Sequence, residues 1–390
     1  PELERRWGEL MRFMEKPAPG KVRVNAALAR QLNVAPGDTV LLRFPKPSAL
    51  SQDVILSPRS EASAALRLEV EDIVPDAALG AFGLRSGQRA ALNAFLNPED
   101  MSRAAGVTNR ANLLLVQGVG GGGAGASMVT TGSTAQAMAV LEGELERRWT
   151  LEDAELQVRV IQEPVHRTGG AQTPAMIEVA SSRIFLSEAV VGAATRAAGS
   201  VADAGYVTGG VQVLTYLANA LRAGERLTPY SMVAAAGAPW TPSDLGPDEM
   251  VVNEWLARDL RVKPGDEIRM EYYDPEAGAS LREKAQVFRV RSVVPMRGLH
   301  ADRTLMPEFP GLAKAESTAD WDAGFPLVHK IRDEDEAYWK TWRGTPKAYI
   351  SAEAGRRLWA NRFGAATSVR YGVPPGSFAS GYQQVVEENL

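Results

Sequence analysis

Four features of this sequence have residue types and spacings that could do chemistry. Gly118-x-Gly120-x-x-Gly123 follows the apolar run ANLLLV, the order in which a dinucleotide-binding loop offers its amides to a pyrophosphate. That use needs the last glycine to open a helix. Here Gly125, Ser127, Thr130, Thr131 and Gly132 postpone the helix to about Ser133, and Glu142, the nearby acid, falls inside it rather than at the end of a return strand. GVGGGGAGAS therefore reads as a linker or loop. The three histidines, His166, His300 and His329, sit in separate segments without ligand spacing and read as surface or loop residues. Asp333, Glu334, Asp335 and Glu336 form a carboxylate run that would attract calcium, but the alternation of a calcium loop is missing. At the start of a helix such a run is stabilised by the helix dipole. Finally, a Pro-Gly-Asp turn occurs twice, and amides after a glycine turn can hold an anion. Turn formation alone accounts for every residue in it. No Gly-x-Ser-x-Gly elbow, His-Glu-x-x-His helix or Walker lysine is present. The sequence assigns no catalytic, cofactor-binding or metal residue and points away from an enzyme.

The element behind the doubled turn is a repeat. Val24–Asp38 and Val252–Asp266 share ten of fifteen residues, with Asn25 and Asn253 separated by 228 positions, as are Asp38 and Asp266. Each asparagine is suited to cap a helix. Leu28 and Leu32, like Leu256 and Leu260, lie four apart and define one apolar helix face. The helix must stop ahead of Pro36 or Pro264. Pro-Gly then fits the two central positions of a type II turn, and a strand follows, TVLLRF or EIRMEYY. Farther on, Leu68–Pro75 parallels Phe288–Pro295, and Ala94–Leu96 parallels Ala348–Ile350. Asn112–Val116 parallels Thr367–Val369. The fold expected is α+β, with mixed sheets, packed helices and duplicated helix–turn–strand modules.

Composition narrows the function classes. The 390 residues are 45% hydrophobic and 23% charged, as in ordinary globular domains, and carry a net charge of -4, which gives no footprint for nucleic acid. Arg147–Arg148 and Arg356–Arg357, the densest basic pairs, read as solvated helix faces. Cysteine is absent, which excludes disulfides, thiolate zinc and a thiol nucleophile. No apolar run is long enough to span a bilayer. The first residues, PELERRWGELMRFMEK, read as an amphipathic helix and not as a signal peptide, and Pro1 in first place is what an excised or processed chain shows. Tryptophans 240, 255, 321, 339, 342 and 359 gather in the second copy and read as core packing.

The second copy and its surroundings resemble the large extracytoplasmic domain of FtsX-like ABC transporter permeases, the group that includes the MacB and lipoprotein-releasing transporters. The resemblance lies in VNEWLARDLRVKPGDEIRMEYY, FRVRSVVP, MPEFPG, DWDAGFP, RDEDEAYW, GTPKAYIS and LWANRFGAATSVR. VNAALARQLNVAPGDTVLLRFPKPSALSQD, LTYLANALR and PYSMVAA are similar to a bacterial subgroup with an enlarged domain. It implies a porter-like part with a β-rich lobe, inserted between two membrane helices at the periplasmic face of the inner membrane. Such a domain relays the work of a cytoplasmic ATPase to a lipoprotein, peptide, small molecule or envelope partner, and can dimerise in the full transporter. On that basis residues 1–117 form a first α+β module, 118–132 a glycine-rich loop and 133–245 a middle region. Residues 246–378 form a second module with a long loop at 300–330, and 379–390 a tail leading toward a membrane helix. Two other readings compete. A duplicated double-psi-type β-barrel binding module would use the same turn, but calls for strands tightly arranged around it and no loop of some 30 residues. A nucleotide-binding enzyme would use residues 118–125.

Overall fold

The computed structural model describes residues 15–46, 63–78, 80–83, 91–107, 131–161, 175–203, 208–275, 282–373 and 379–390. Residues 118–130 of the glycine-rich loop, His166, the first fourteen residues and Asn112–Val116 lie outside them, while residues 131–132 already belong to a helix. The chain divides into two compact units, Pro1–Ser48 with Glu61–Thr134, and Ala49–Ser60 with Ala135–Leu390.

The first unit is built on β1 (Lys21–Asn25), α1 (Ala26–Leu32), β2 (Thr39–Pro45), β3 (Ser63–Val74), β4 (Ala94–Leu96) and α2 (Pro98–Ala105). Its sheet runs β2-β3-β1-β4, with β1 parallel to β3 and the outer pairs antiparallel. The second unit repeats this order in β10-β11-β9-β12, where β9 is Glu249–Asn253, β10 Glu267–Tyr273, β11 Glu283–Val294 and β12 Ala348–Ile350. The strand senses repeat as well. So does an irregularity in the parallel ladder: pairing jumps after Val22↔Val70 in one copy and after Met250↔Val290 in the other.

The joint inside each copy is made as its residues require. Asn25 Oδ1 accepts from the Leu28 amide at 3.0 Å, and Asn253 Oδ1 from that of Leu256 at 2.8 Å, capping α1 and α5 (Glu254–Leu260). Both asparagines are buried, so their Nδ2 groups need acceptors too. Asn25 donates to the carbonyls of Gly80 and Ala91, and Asn253 to the Pro346 carbonyl and the Tyr338 hydroxyl. Each helix ends on a left-handed residue, Asn33 or Arg261, and Gly37 and Gly265 take φ of 94° and 96° in the type II turn. The Asp38 and Asp266 amides close those turns onto residues 35 and 263 at 3.1 Å. The glycine amides donate across the sheet to Val70 and Val290 at 2.8 Å.

Unit two differs by adding strands. β7 (Thr208–Ala223) and β8 (Arg226–Ala236) form a long hairpin. β8 pairs with β12, and β7 pairs with β10 through Arg269↔Arg222 to Tyr272↔Ala218. The six strands β7 to β12 therefore close into a ring. On its inner face lie Leu221, Met250, Ile268, Met270 and Phe288, with Trp359 against Tyr216 and Tyr272. α7 (Ala352–Trp359) lies so close to β8 that a Cβ on Gly355 would stand 2.1 Å from that of Ala235. The upper half of β7 carries an open extension, β13 (Ser368–Gly372), β6 (Met176–Ser181) and β5 (Leu156–Ile161). Helices α4 (Glu188–Asp203) and α8 (Ala379–Asn389) pack on it over Val179, Ala194, Tyr371 and Val386. α3 spans Thr131–Arg148 and α6 spans Asp333–Trp342.

The α+β fold class holds. The sheet around the second copy closes into a ring even though the segment between β11 and β12 contains the long loop, so that loop does not prevent a barrel. It leaves the ring at Val294, runs through three short 3-10 turns and returns at Ala348. The shared helix face also has two outcomes. α5 packs against β8, and Leu260 is 2% exposed. The matching Leu32 of α1 is 49% exposed, and no strand of the first unit corresponds to β8 among the described residues.

A Cβ on Gly37 or Gly265 would meet nothing within 4 Å, so substitution tests backbone conformation alone. Gly37→Ala and Gly265→Ala should each cost about 1–2 kcal/mol, by equal amounts, because both residues hold the same positive φ. Urea unfolding of the two variants checks this.

Candidate functional site

One buried cluster of ionised groups beside the ring is assembled from four separate segments. Lys347 precedes β12, is 4% exposed, and donates its amide to Met232 while its carbonyl accepts from the Asn253 amide. The same backbone position in the first copy is filled by Asn93, whose carbonyl accepts from the Asn25 amide. Lys347 Nζ stands 3.6 Å from Asp335 Oδ1 and lies over the rings of Trp255 and Tyr338 at 4.5 and 4.8 Å. Arg332 joins Asp335 to α5: its guanidinium donates to Asp335 at 2.7 and 2.9 Å and forks onto Asp259 at 2.7 and 3.1 Å. Thr228 of β8 completes the chain by donating to Asp259.

Two cations and two carboxylates thus close on one another. Burial pushes the Lys347 ammonium down to about 8, with Asp335 and Asp259 opposing it. Burial raises the Asp259 carboxyl, but hydrogen bonds from Arg332 and Thr228 outweigh that and leave it below the usual carboxylate range. A lysine near 8 has the proton affinity of a catalytic amine. This one faces two aromatic rings and a carboxylate, and what it secures is the contact of β12 with α5 and α6.

A second cluster sits on the open extension. Arg370 of β13 is fully buried and donates to Glu178 of β6 at 2.6 and 2.9 Å, to Asp302, and to the Thr304 carbonyl at 2.7 Å. Glu178 also accepts from Arg159 of β5 at 2.6 Å. The long loop is therefore pinned to the extension by charge-assisted bonds, the strong kind in a dry interior.

The residues singled out in the sequence fall as follows. The turn amides are all engaged within the fold, so the Pro-Gly-Asp joints are structural. Asp333–Glu336 form the first turn of α6, as the dipole argument requires, but two of them do more. Asp335 belongs to the lysine cluster, and Glu336 accepts from the amide and hydroxyl of Thr318, which, with smaller help from Ser317 and Lys340, holds its carboxyl down at about 2. His300 and His329 are half-buried loop residues: His300 Nε2 meets the Trp240 carbonyl at 3.0 Å, and His329 lies beside Tyr230. Trp240, Trp339 and Trp359 are buried and Trp255, Trp321 and Trp342 half-buried, so the tryptophans are packing residues. Arg147 and Arg148 are solvated and Arg357 pairs with Asp248. Sequence reasoning missed Asp259, Arg332, Lys347 and Arg370. The one available signal was a charge inside an otherwise strand-like run, as in PKAYI and TSVRYG.

No family model matches the chain, and no curated protein matches it. Among solved structures it is similar to the periplasmic region of MacB from Actinobacillus actinomycetemcomitans, at 9% identity and a TM-score of 0.30, over 60% of this chain and 81% of that one. It is also similar to a domain of a permease protein from Porphyromonas gingivalis, at 12% identity and a TM-score of 0.26, over 49% of this chain and 67% of that one.

Two predictions follow from the charge clusters. Arg332→Met strands Asp259 and Asp335 and should destabilise the protein by about 3 kcal/mol in urea unfolding. Lys347 has a folded proton affinity below its unfolded one, so between these values the unfolded chain holds more protons and stability rises with pH. Compared with Lys347→Met, the wild type should gain stability between pH 8 and pH 10, by up to about 1 kcal/mol per pH unit. Paired urea titrations across that range check the sign.

Proposed function

We propose that this chain is an extracytoplasmic domain of an ABC transporter permease, and that it performs no chemistry of its own. One observation carries the reading: the segments whose residues resemble the FtsX-like group belong to one continuous piece of architecture. VNEWLARDLRVKPGDEIRMEYY is β9, α5 and β10; FRVRSVVP lies in β11; GTPKAYIS contains β12; LWANRFGAATSVR links α7 to β13. The self-compensated charge clusters support the non-enzymatic part, since their ionised groups are bound to one another. In this reading the domain works at the periplasmic face of the inner membrane, joined to its own transmembrane helices and through them to a cytoplasmic ATPase. It passes ATP-driven motion to a lipoprotein, peptide or small molecule, or to an envelope partner. No helix among the described residues is long and apolar enough to cross a membrane.

The closed six-stranded ring favours a second reading, a β-barrel binding module that works without a transporter. Membrane topology of the full-length gene product separates the two. Alkaline phosphatase fused after this segment should be active and green fluorescent protein fused there dark, with the product in the inner-membrane fraction. Recovery in the soluble fraction, or a fluorescent fusion with inactive phosphatase, would overturn the transporter reading and leave the barrel module.

A further inference from the structure

Where β7 meets β10 the ring holds a group of donors that none of the charge clusters uses. Glu271 of β10, Glu283 of β11 and His329 of the long loop each offer one ligand atom, all within 4.8 Å of one another. Their surroundings are built. Asn219, 1% exposed, directs its amide at the group and donates to Glu283 Oε1 at 2.7 Å, while its Oδ1 is buried without a hydrogen-bond partner. His329 Nε2 is a second buried atom without a partner. The backbone is irregular at the same place: the β7–β10 pairing passes from Glu271↔Ala220 to Tyr272↔Ala218 and skips Asn219. A bulge of this kind re-aims a side chain. Tyr230, across the hairpin, takes a φ of 38°, and its hydroxyl accepts from the His329 amide at 2.8 Å, which fixes the histidine's backbone. Orphaned polar atoms and a strained non-glycine residue in one spot call for a ligand.

We propose that Glu271, Glu283 and His329 bind a divalent transition-metal ion of the zinc class. One imidazole nitrogen with two carboxylates suits zinc, with a fourth position for water or for Asn219 Oδ1. Magnesium and calcium prefer an all-oxygen shell. The donors stand up to 4.8 Å apart, whereas those of a tetrahedral zinc site are about 3.3 Å apart. Binding therefore draws them together, and Glu283, the most exposed, moves most readily. Glu271 is already shared with Arg222, at 3.0 Å from both oxygens, and with Arg269 at 3.3 Å. These arginines compete with a cation for Glu271 and limit affinity. Glu283 has the Asn219 amide and no ion pair among the described residues. The ion would tie the long loop to β10 and β11 at the seam where the ring closes. It is independent of the transporter reading.

The test is titration of the chelator-treated, untagged chain with zinc chloride by calorimetry, alongside thermal unfolding. One equivalent should bind and raise Tm, and cobalt in its place should give the visible bands of a four- or five-coordinate site. Magnesium and calcium chloride at the same concentration should do neither. His329→Ala and Glu283→Gln should each weaken zinc binding at least about tenfold, and His300→Ala should leave it unchanged. Should His329→Ala fail to fold, Glu283→Gln at its exposed position carries the comparison. Absence of zinc binding, or undiminished binding by Glu283→Gln, overturns the site; equal binding of magnesium overturns the metal class.

Discussion

The second unit depends on the antiparallel ladder between β7 and β10. Without it the strands around the second repeat would make an open sheet with two bare edges, each a row of unpaired amides and carbonyls. With it, β7 and β10 satisfy each other's edges, and the interior becomes dry enough for Trp359, Phe288 and Met270 to pack to completion. The helix face of α5 is buried for the same reason. Among the described residues the first unit shows the same module without such a hairpin, and Leu32 of its helix α1 stays half exposed. Identical local chemistry thus yields two degrees of burial, set by the strands that come from elsewhere in the chain.

Much of the module could be read from the residues because its determinants are local. Asn-x-x-Leu places a cap, Pro-Gly fixes a turn, and the positive φ at Gly37 and Gly265 follows from the turn type. The strand after each turn could also be read, since TVLLRF and EIRMEYY have strand composition. LTYLANALR was different: as part of β7 it is covered on both faces, so the alternation that marks a half-exposed strand is missing and helix and strand fit equally well. Ring closure could not be read, because it rests on register between segments some fifty residues apart.

The candidate sites lay beyond sequence reasoning for a similar reason. Asp259, Arg332 and Lys347 are each unremarkable singly, and only the packing of α5 against α6 and β12 makes them a network. Glu271, Glu283 and His329 have no motif spacing. The joint equivalent to Lys347 is occupied in the first copy by Asn93, so the duplicated backbone position tolerated two solutions: an amide side chain bonding to carbonyls, and an ammonium held by rings and a carboxylate. The backbone contact is shared by both, from Asn25 to Asn93 and from Asn253 to Lys347. That contact is part of the scaffold, and the side chain is free to diverge.

The placement of the long loop has a consequence for the order in which the chain is made. The loop lies between β11 and β12, yet β12 is the strand that sits between β8 and β9 and completes the ring. A ribosome emits β8 roughly a hundred residues before β12, which at about 5–20 residues per second is a delay of some seconds. Through that interval the edges of β8 and β9 wait unpaired, while the hairpin and the β9–α5–β10 joint can already form. The long connection thus makes the second unit a late-closing structure, whose nascent chain exposes strand edges for chaperones, or for neighbouring chains, to find.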